Sequence, residues 1–340
     1  MGGGLKSFKD LPSFDELPDK RRYWEWGPAG SYEEGLGKLN LLTDEVVAQA
    51  AASEIRTGQR VGLGWEFRKL ENPPFGRIPF NLNIKWVDYP MAYDDEYQMN
   101  PQQSSQWDGF RHHAQPIDPA MDGKPMKLTE DDNPDEHVVW YGGTKPSEIT
   151  PENERISIHH WAKKGIVGRG ILIDYAKYAK AKGIKYSSFS LHQITLKEIQ
   201  EIIEMDRIEV RPGDILFIHI GLIEEWESMT TEQRVAYGKG NFQHCGVEQT
   251  EDVLRWLWNN HFTAVAGDMI SWEVFPSQNP NLALHNYLLA GWGVPIGEIF
   301  DLSELAKICE QQNRYSFFVT SAPFNAVGAV SSPPNAIAIF

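Results

Sequence analysis

Apolar and polar positions along the chain fall into two rhythms, one close to the helical repeat and one of short continuous apolar runs, and they interleave. The segment LTDEVVAQAAASEIRTG predicts a helix with Thr43 as N-cap, acids in its first turn and Gly58 as its stop, followed by a strand around Val61–Trp65. GIVGRGILIDY predicts a glycine-punctuated buried strand, and TLKEIQEIIEMDRI a helix opened by a Thr195/Glu198 capping box. RPGDILFIHIG predicts a turn and a buried strand, EDVLRWLWNNHF an amphipathic helix, and TAVAGD a short strand. NLALHNYLLAGWGVP then predicts a helix terminated by Gly291 or Gly293, LSELAKICEQQN another, and YSFFVT and NAIAIF the closing strands. This alternation predicts α/β architecture: a single domain over 41–340, a mixed sheet with flanking helices. Residues 1–40 lack periodicity and are expected to form an N-terminal arm whose Trp24, Trp26 and Tyr32 need a surface to bury against. The acidic stretch at about 118–154, broken by Pro and Gly, is expected to be a long surface excursion.

Composition narrows the function classes. The 340 residues carry 32 Lys and Arg against 47 Asp and Glu, a formal charge of −15, which opposes the phosphate neutralisation that nucleic-acid binding needs. No nucleic acid and no membrane is expected as a partner, since no apolar run is long enough to span a bilayer and the start has no apolar signal core. Two cysteines, Cys245 and Cys309, stand in no ligand spacing and are expected to be reduced, in keeping with a soluble cytoplasmic protein. Neither GxGxxG nor GxxxxGK[ST] occurs, so the nucleotide folds lose their usual signal.

Two islands concentrate chemistry. QQSSQWDGFRHH, residues 102–113, places Asp108 four residues before His112, an acid able to hold an ion or a water beside an imidazole able to move its proton. A solvated loop is the alternative reading. In the second, His285 sits among leucines and Glu298 follows in an apolar run, where a polar group faces solvent, is satisfied in the core, or is a ligand. If the first island is extended, only one of His112 and His113 enters a pocket. His159-His160 and the DDNPDE run read as solvated or interfacial groups, and Ser271 stands in no GxSxG elbow.

Together the islands resemble the cyclase family of metal-dependent hydrolases that includes kynurenine formamidase and isatin hydrolase. The family signature HxGTHxDxxxH is similar to Gln102-Gln103-Ser104-Ser105-Gln106-Trp107-Asp108-Gly109-Phe110-Arg111-His112, with glutamine for both leading histidines and Ser104-Ser105 for Gly-Thr. The family's HxxLLxxGI and later Glu are similar to His285-Asn286-Tyr287-Leu288-Leu289 and Glu298, and the likeness spans roughly residues 55 to 340.

The resemblance implies a swivelling β/β/α fold in a homo-oligomer, dimer or tetramer, acting on a small-molecule substrate. It implies Asp108, His285 and Glu298 as ligands of one divalent zinc or manganese ion, with His112 and Asp108 as the catalytic pair, and its register selects His112 for the pocket and leaves His113 at the surface or an interface. Gln102, Gln106, Trp107, Phe110 and Arg111 are the expected substrate-binding residues. An amide oxygen donates less to a transition metal than an imidazole, so the glutamines point away from a two-metal centre and toward a weaker or harder site. The expected function is metal-assisted hydrolysis of a small cyclic or aromatic amide, lactam, lactone or ester. A cyclase, dehydratase or isomerase with weak or no metal is the alternative, and a non-catalytic homologue a third.

Overall fold

The apolar runs become the centre of one sheet. In a computed structural model, which describes residues 7–124, 126–240 and 242–340, nine strands form a mixed sheet. Its order is Arg60–Gly62, Ala336–Ile339, Ser316–Ser321, Ile166–Asp174, Ile215–His219, Ala264–Gly267, Ile296–Glu298, Gln106–Asp108 and Ser331–Ser332. The four strands from Ile166–Asp174 to Ile296–Glu298 are mutually parallel, and the outer ones pair antiparallel. Parallel strands covered on both faces need continuous apolar sequence, which is why ILFIH and AVAG are wholly buried.

Helices form where capping and propensity place them. Thr43 Oγ1 accepts the Val46 N–H at the start of Asp44–Glu54. Thr195 and Glu198 close the expected capping box at the start of Leu196–Met205, the Glu198 carboxylate accepting the Thr195 N–H at 2.9 Å. Glu251–Asn259 and Ser303–Gln312 complete the main flanking helices. Among the described residues no helix is long and apolar enough to cross a membrane. Cys245 and Cys309 are free and buried.

Three elements differ from expectation. The first strand begins at Arg60, one residue early, because its ladder is set by Ala336–Ile339; Gly64 makes only an isolated bridge to Phe300. The helix expected around residues 281–292 is a π-helix over Asn286–Trp292 with His285 at its N-cap. That wider turn is clamped from the N-terminal segment: Trp24 Nε1 donates to Ala290 O and Trp26 Nε1 to Trp292 O, while Trp292 Nε1 donates back to Lys20 O. An unexpected hairpin, Asn81–Asp88 with Ala92–Gln98, projects between the first strand and the first chemical island.

Buried charge ties the layers together. Arg169, in the central strand Ile166–Asp174, donates to Glu54 of the Asp44–Glu54 helix at 3.0 Å and to both oxygens of Asp214 at 2.9 and 2.7 Å. All three side chains are buried. The acidic excursion carries short 3-10 turns and one small antiparallel pair, Gln115–Pro116 with Val138–Val139. Arg155 holds its return by ion pairs to Glu34 and Glu148 at 3.0 and 2.9 Å.

Candidate functional site

Strand register brings the two islands into one cavity. Gln106–Asp108 pairs antiparallel with Ile296–Glu298, Ile296 facing Asp108 and Glu298 facing Gln106. Alternation along a strand then sends Gln106, Asp108 and Glu298 to one side. His285, at the mouth of the π-helix, reaches the same point: ligand atoms of Asp108, His285 and Glu298 all lie within 4.8 Å of one another. His285 Nε2 is 3.4 Å from Glu298 Oε1 and 3.8 Å from Asp108 Oδ2. The cavity of about 270 Å³ beside them is walled by Phe75, Phe275, Ile270 and Val274, with Arg77, Ser271, His112 and His113 as polar lining.

The glutamines hold the carboxylates. Gln102 Nε2, on a 3-10 turn capped by Asn100, donates to Asp108 Oδ1, and Gln106 Nε2 donates to Glu298 Oε2 at 2.8 Å. Glu273 fixes the histidine from behind. It lies 2.6 Å from His285 Nδ1 and accepts the His285 and Leu284 backbone N–H groups at 2.8 and 2.7 Å, leaving Nε2 turned to the cavity. His112 stands at the edge, its Nε2 3.7 Å from Asp108 Oδ2.

The electrostatics of this cluster are those of carboxylates in excess. Burial would raise the Asp108 carboxyl, but His112, His285 and the Gln102 amide hold it below the usual aspartate value. Burial and the neighbouring Asp108 push Glu298 up to about 7. Burial works against charge on His285, yet Asp108, Glu273 and Glu298 around it draw its pKa well above that of an ordinary histidine. Burial lowers the His112 pKa, with Asp108 opposing, so the imidazole is biased to the neutral form.

These residues fit a divalent cation. Asp108 Oδ2 and Gln106 Oε1 are buried there without a hydrogen-bond partner, and buried lone pairs left unmatched are costly. Two carboxylates, an imidazole fixed by an outer carboxylate, and an amide oxygen form a donor set on the hard side of borderline. A second His/acid group, His219 with Glu224 and Asp268, meets the same distance criterion. There, however, Asp268 already accepts the Ile220 and Leu222 N–H groups, and His219 bonds Asp174 and Glu224 at 2.9 and 3.1 Å. That second group reads as a satisfied structural ion cluster.

Several expected residues lie elsewhere. Trp107 points to the opposite side of its strand, 1% exposed, its Nε1 donating to Ser321 Oγ at 2.9 Å and its ring against Phe300. Phe110 is fully buried between Tyr141 and Trp161. Arg111 donates to the carbonyls of Thr150, Asn153, Arg155 and Gly328, anchoring the end of the acidic excursion. None of the three lines the cavity, so their expected part in substrate binding is replaced by packing and anchoring.

The opposite correction applies to His113. The chain turns after Asp108, with the His112 N–H bonded to Gly109 O at 2.8 Å, so strand alternation no longer separates the two histidines and both line the cavity. His113 Nε2 pairs with Asn286 Oδ1 at 2.8 Å, and burial pushes its pKa down to about 4. His159 and His160 are buried rather than solvated, their rings 4.0 Å apart. Arg77 and Glu273 had no assigned part in the sequence reading; the only signal for Glu273 was an acid closing the apolar VAGDMISWE run.

Comparison with known proteins bears on the family and the fold. The profile of the family described as "Putative cyclase" matches residues 64–274, more than half of the chain. A crystal structure of a novel cyclase is similar over 93% of this chain and 98% of its own, with 27% identity and a TM-score of 0.74. Isatin hydrolase A from Labrenzia aggregata, bound to benzyl benzoate, matches over 87% of this chain and 97% of its own at 15% identity and a TM-score of 0.54. Isatin hydrolase A from Ralstonia solanacearum matches over 82% and 91% at 14% identity and a TM-score of 0.52. These last two likenesses are of fold. No curated protein matches the sequence. With the profile covering both the first island and the central strands, the chain belongs to the cyclase family.

Proposed function

We propose that the protein is a metal-assisted hydrolase of a small cyclic or aromatic amide, lactam, lactone or ester, with one divalent ion held by Asp108, His285 and Glu298. The observation that carries this reading is the convergence of three ligand atoms within 4.8 Å beside unpartnered Asp108 Oδ2 and Gln106 Oε1. A divalent cation in such a cage supplies Lewis acidity toward a carbonyl and makes water more acidic. The rest falls to the chain. Phe75, Phe275, Ile270 and Val274 bind a planar body and exclude bulk water. His112 Nε2 takes a proton from the attacking water and returns it to the leaving nitrogen or oxygen. Glu273 keeps His285 in the tautomer that turns Nε2 inward. The carboxylate and amide oxygens suit manganese and the imidazole suits zinc, so either ion fits the donor set.

Protein purified without chelator is expected to hold close to one equivalent of manganese or zinc by elemental analysis, lost in Asp108→Ala and in His285→Ala. Hydrolysis of the best hit from a screen of aromatic lactams, lactones and formamides should vanish with the metal and return on adding it. Turnover that persists unchanged in metal-free protein would instead favour the cyclase, dehydratase or isomerase reading.

We also propose a homo-oligomer assembled through the projecting hairpin. Cross-strand register puts Leu82 beside Tyr97 and Trp86 beside Tyr93 on one face with Ile84, where Asp95 opposite Ile84 is bonded by the Tyr97 hydroxyl, while the other face carries Lys85, Asp94 and Glu96. Ile84 and Tyr93 are 62% and 59% exposed, an apolar sheet face without cover in the single chain. Light scattering should show a dimer or larger at tens of micromolar, and Ile84→Lys with Tyr93→Lys should shift it toward monomer with unchanged circular dichroism. A wild-type monomer at that concentration would refute the assignment.

A further inference from the structure

A tight turn at Pro74–Arg77 leans over the cavity that holds the catalytic cluster. Phe75 and Gly76 both take left-handed conformations, φ 62° and 68°, and the Arg77 N–H closes on Pro74 O. Phe75 is an uncommon residue for that conformation, and the turn is braced by its ring packing on Phe242 and Phe275. Its effect is to lay the Arg77 guanidinium over the Phe75 ring, 5.0 Å from the centroid, at the boundary between the inner cavity and an outer groove. His112 stands at the same boundary and lines both spaces.

Arg77 is half-buried and, among the described residues, has no carboxylate within 4.0 Å. Its one hydrogen bond runs from Nη1 to Gln102 O at 3.1 Å. The Nε and Nη2 edge is left without a protein partner, two parallel donors with the spacing of a carboxylate. It feels the Asp108 and Glu298 carboxylates at longer range, and Gln102 and Gln106 each bond one oxygen of that pair. A desolvated guanidinium is stabilised by an anion placed against its fork, and Arg77 lines the cavity where such an anion would sit. The aromatic and aliphatic walls below it suit the flat body of the same ligand.

We infer that Arg77 is a substrate-selecting residue: the substrate is an aromatic or cyclic carbonyl compound that also carries a carboxylate, and Arg77 binds that carboxylate as a bidentate pair while the carbonyl reaches the Asp108, His285, Glu298 cluster. This rests on the hydrolase reading for the second half of the statement only. The anion-binding half stands on the unpartnered fork.

The test compares benzoate with benzamide, two ligands of one shape that differ in charge, by isothermal titration on metal-loaded wild type, Arg77→Met and Arg77→Lys. Wild type should prefer benzoate by ten-fold or more, as a charge-assisted pair predicts. In His285→Ala, where no metal remains to bind a carboxylate, the preference should persist, and adding Arg77→Met to that variant should bring it to within about two-fold of equal affinity. Arg77→Lys, which keeps charge but not the fork, should fall between. Equal affinities in wild type, no binding of either ligand, or a preference unchanged in Arg77→Met each overturn the proposal. Hydrolysis of neutral formanilide by metal-loaded wild type reports the hydrolase reading separately: its absence would overturn that reading and leave the benzoate preference to decide the anion-binding half.

Discussion

Replacing His112 by alanine is expected to lower kcat by two or more orders of magnitude while circular dichroism and metal content stay as in wild type. The side chain is partly exposed at the cavity edge and makes no buried hydrogen bond that folding depends on, so its removal leaves the core intact. Its Nε2 faces Asp108 across 3.7 Å, a gap that a water molecule or a reacting group closes. General acid–base contributions of a placed imidazole run from about 10² to 10⁴ in rate, and loss of the group removes that share. Burial places the His112 pKa below 6.5, so the base form prevails at neutral pH and is lost only as pH falls through that lowered value. The acid limb of kcat/KM should therefore lie below pH 6.5 in wild type and disappear in His112→Ala. A variant with wild-type turnover would remove His112 from the proton-transfer step.

Most of the sheet and helices can be read from sequence because their cause is local. Thr43, Thr195 and Thr250 are side-chain caps, and apolar runs such as ILFIH have no other place than a strand covered on both sides. Asp108 and Glu298 are likewise placed by strand alternation once the two strands pair. What escapes the sequence depends on contacts between distant segments. The π-helix after His285 has the composition of an α-helix, and its carbonyls at Ala290, Gly291 and Trp292 are met by Trp24, the Tyr23 N–H and Trp26, residues far upstream. His113 enters the cavity because the backbone turns at Gly109, which an alternation argument cannot foresee. Trp107, Phe110 and Arg111 share the first island with Asp108, yet proximity in sequence put them on the far side of the strand or beyond its end. Arg77 escapes for a related reason: it lies in a turn with no motif, and its meaning comes from Gln102, Phe75 and the cavity meeting around it.

Arg169→Met is expected to destabilise the fold by about 3–5 kcal/mol, the range for removing one partner of a buried ion cluster. Arg169 lies in the central parallel strand, and its guanidinium spends its donors on Glu54, both oxygens of Asp214, and the Glu209 carbonyl. Glu54 and Asp214 are 1% exposed, so neither can turn to solvent when the guanidinium goes. Ser316 and the Arg211 N–H bond these carboxylates too, but they are neutral donors, and the Arg314 guanidinium, 4.0 Å from Glu54, is a distant replacement for one of two charges. Methionine preserves most of the stem volume, which separates the charge effect from a cavity effect. The triple change Glu54→Gln, Asp214→Asn and Arg169→Met should recover most of the loss, because removing all the charges also removes their desolvation cost. Urea titration of the three proteins measures both steps. A single variant within about 1 kcal/mol of wild type would mean that the two carboxylates are relieved by protonation in place. The ion cluster would then orient the Asp44–Glu54 helix on the sheet without holding the fold together.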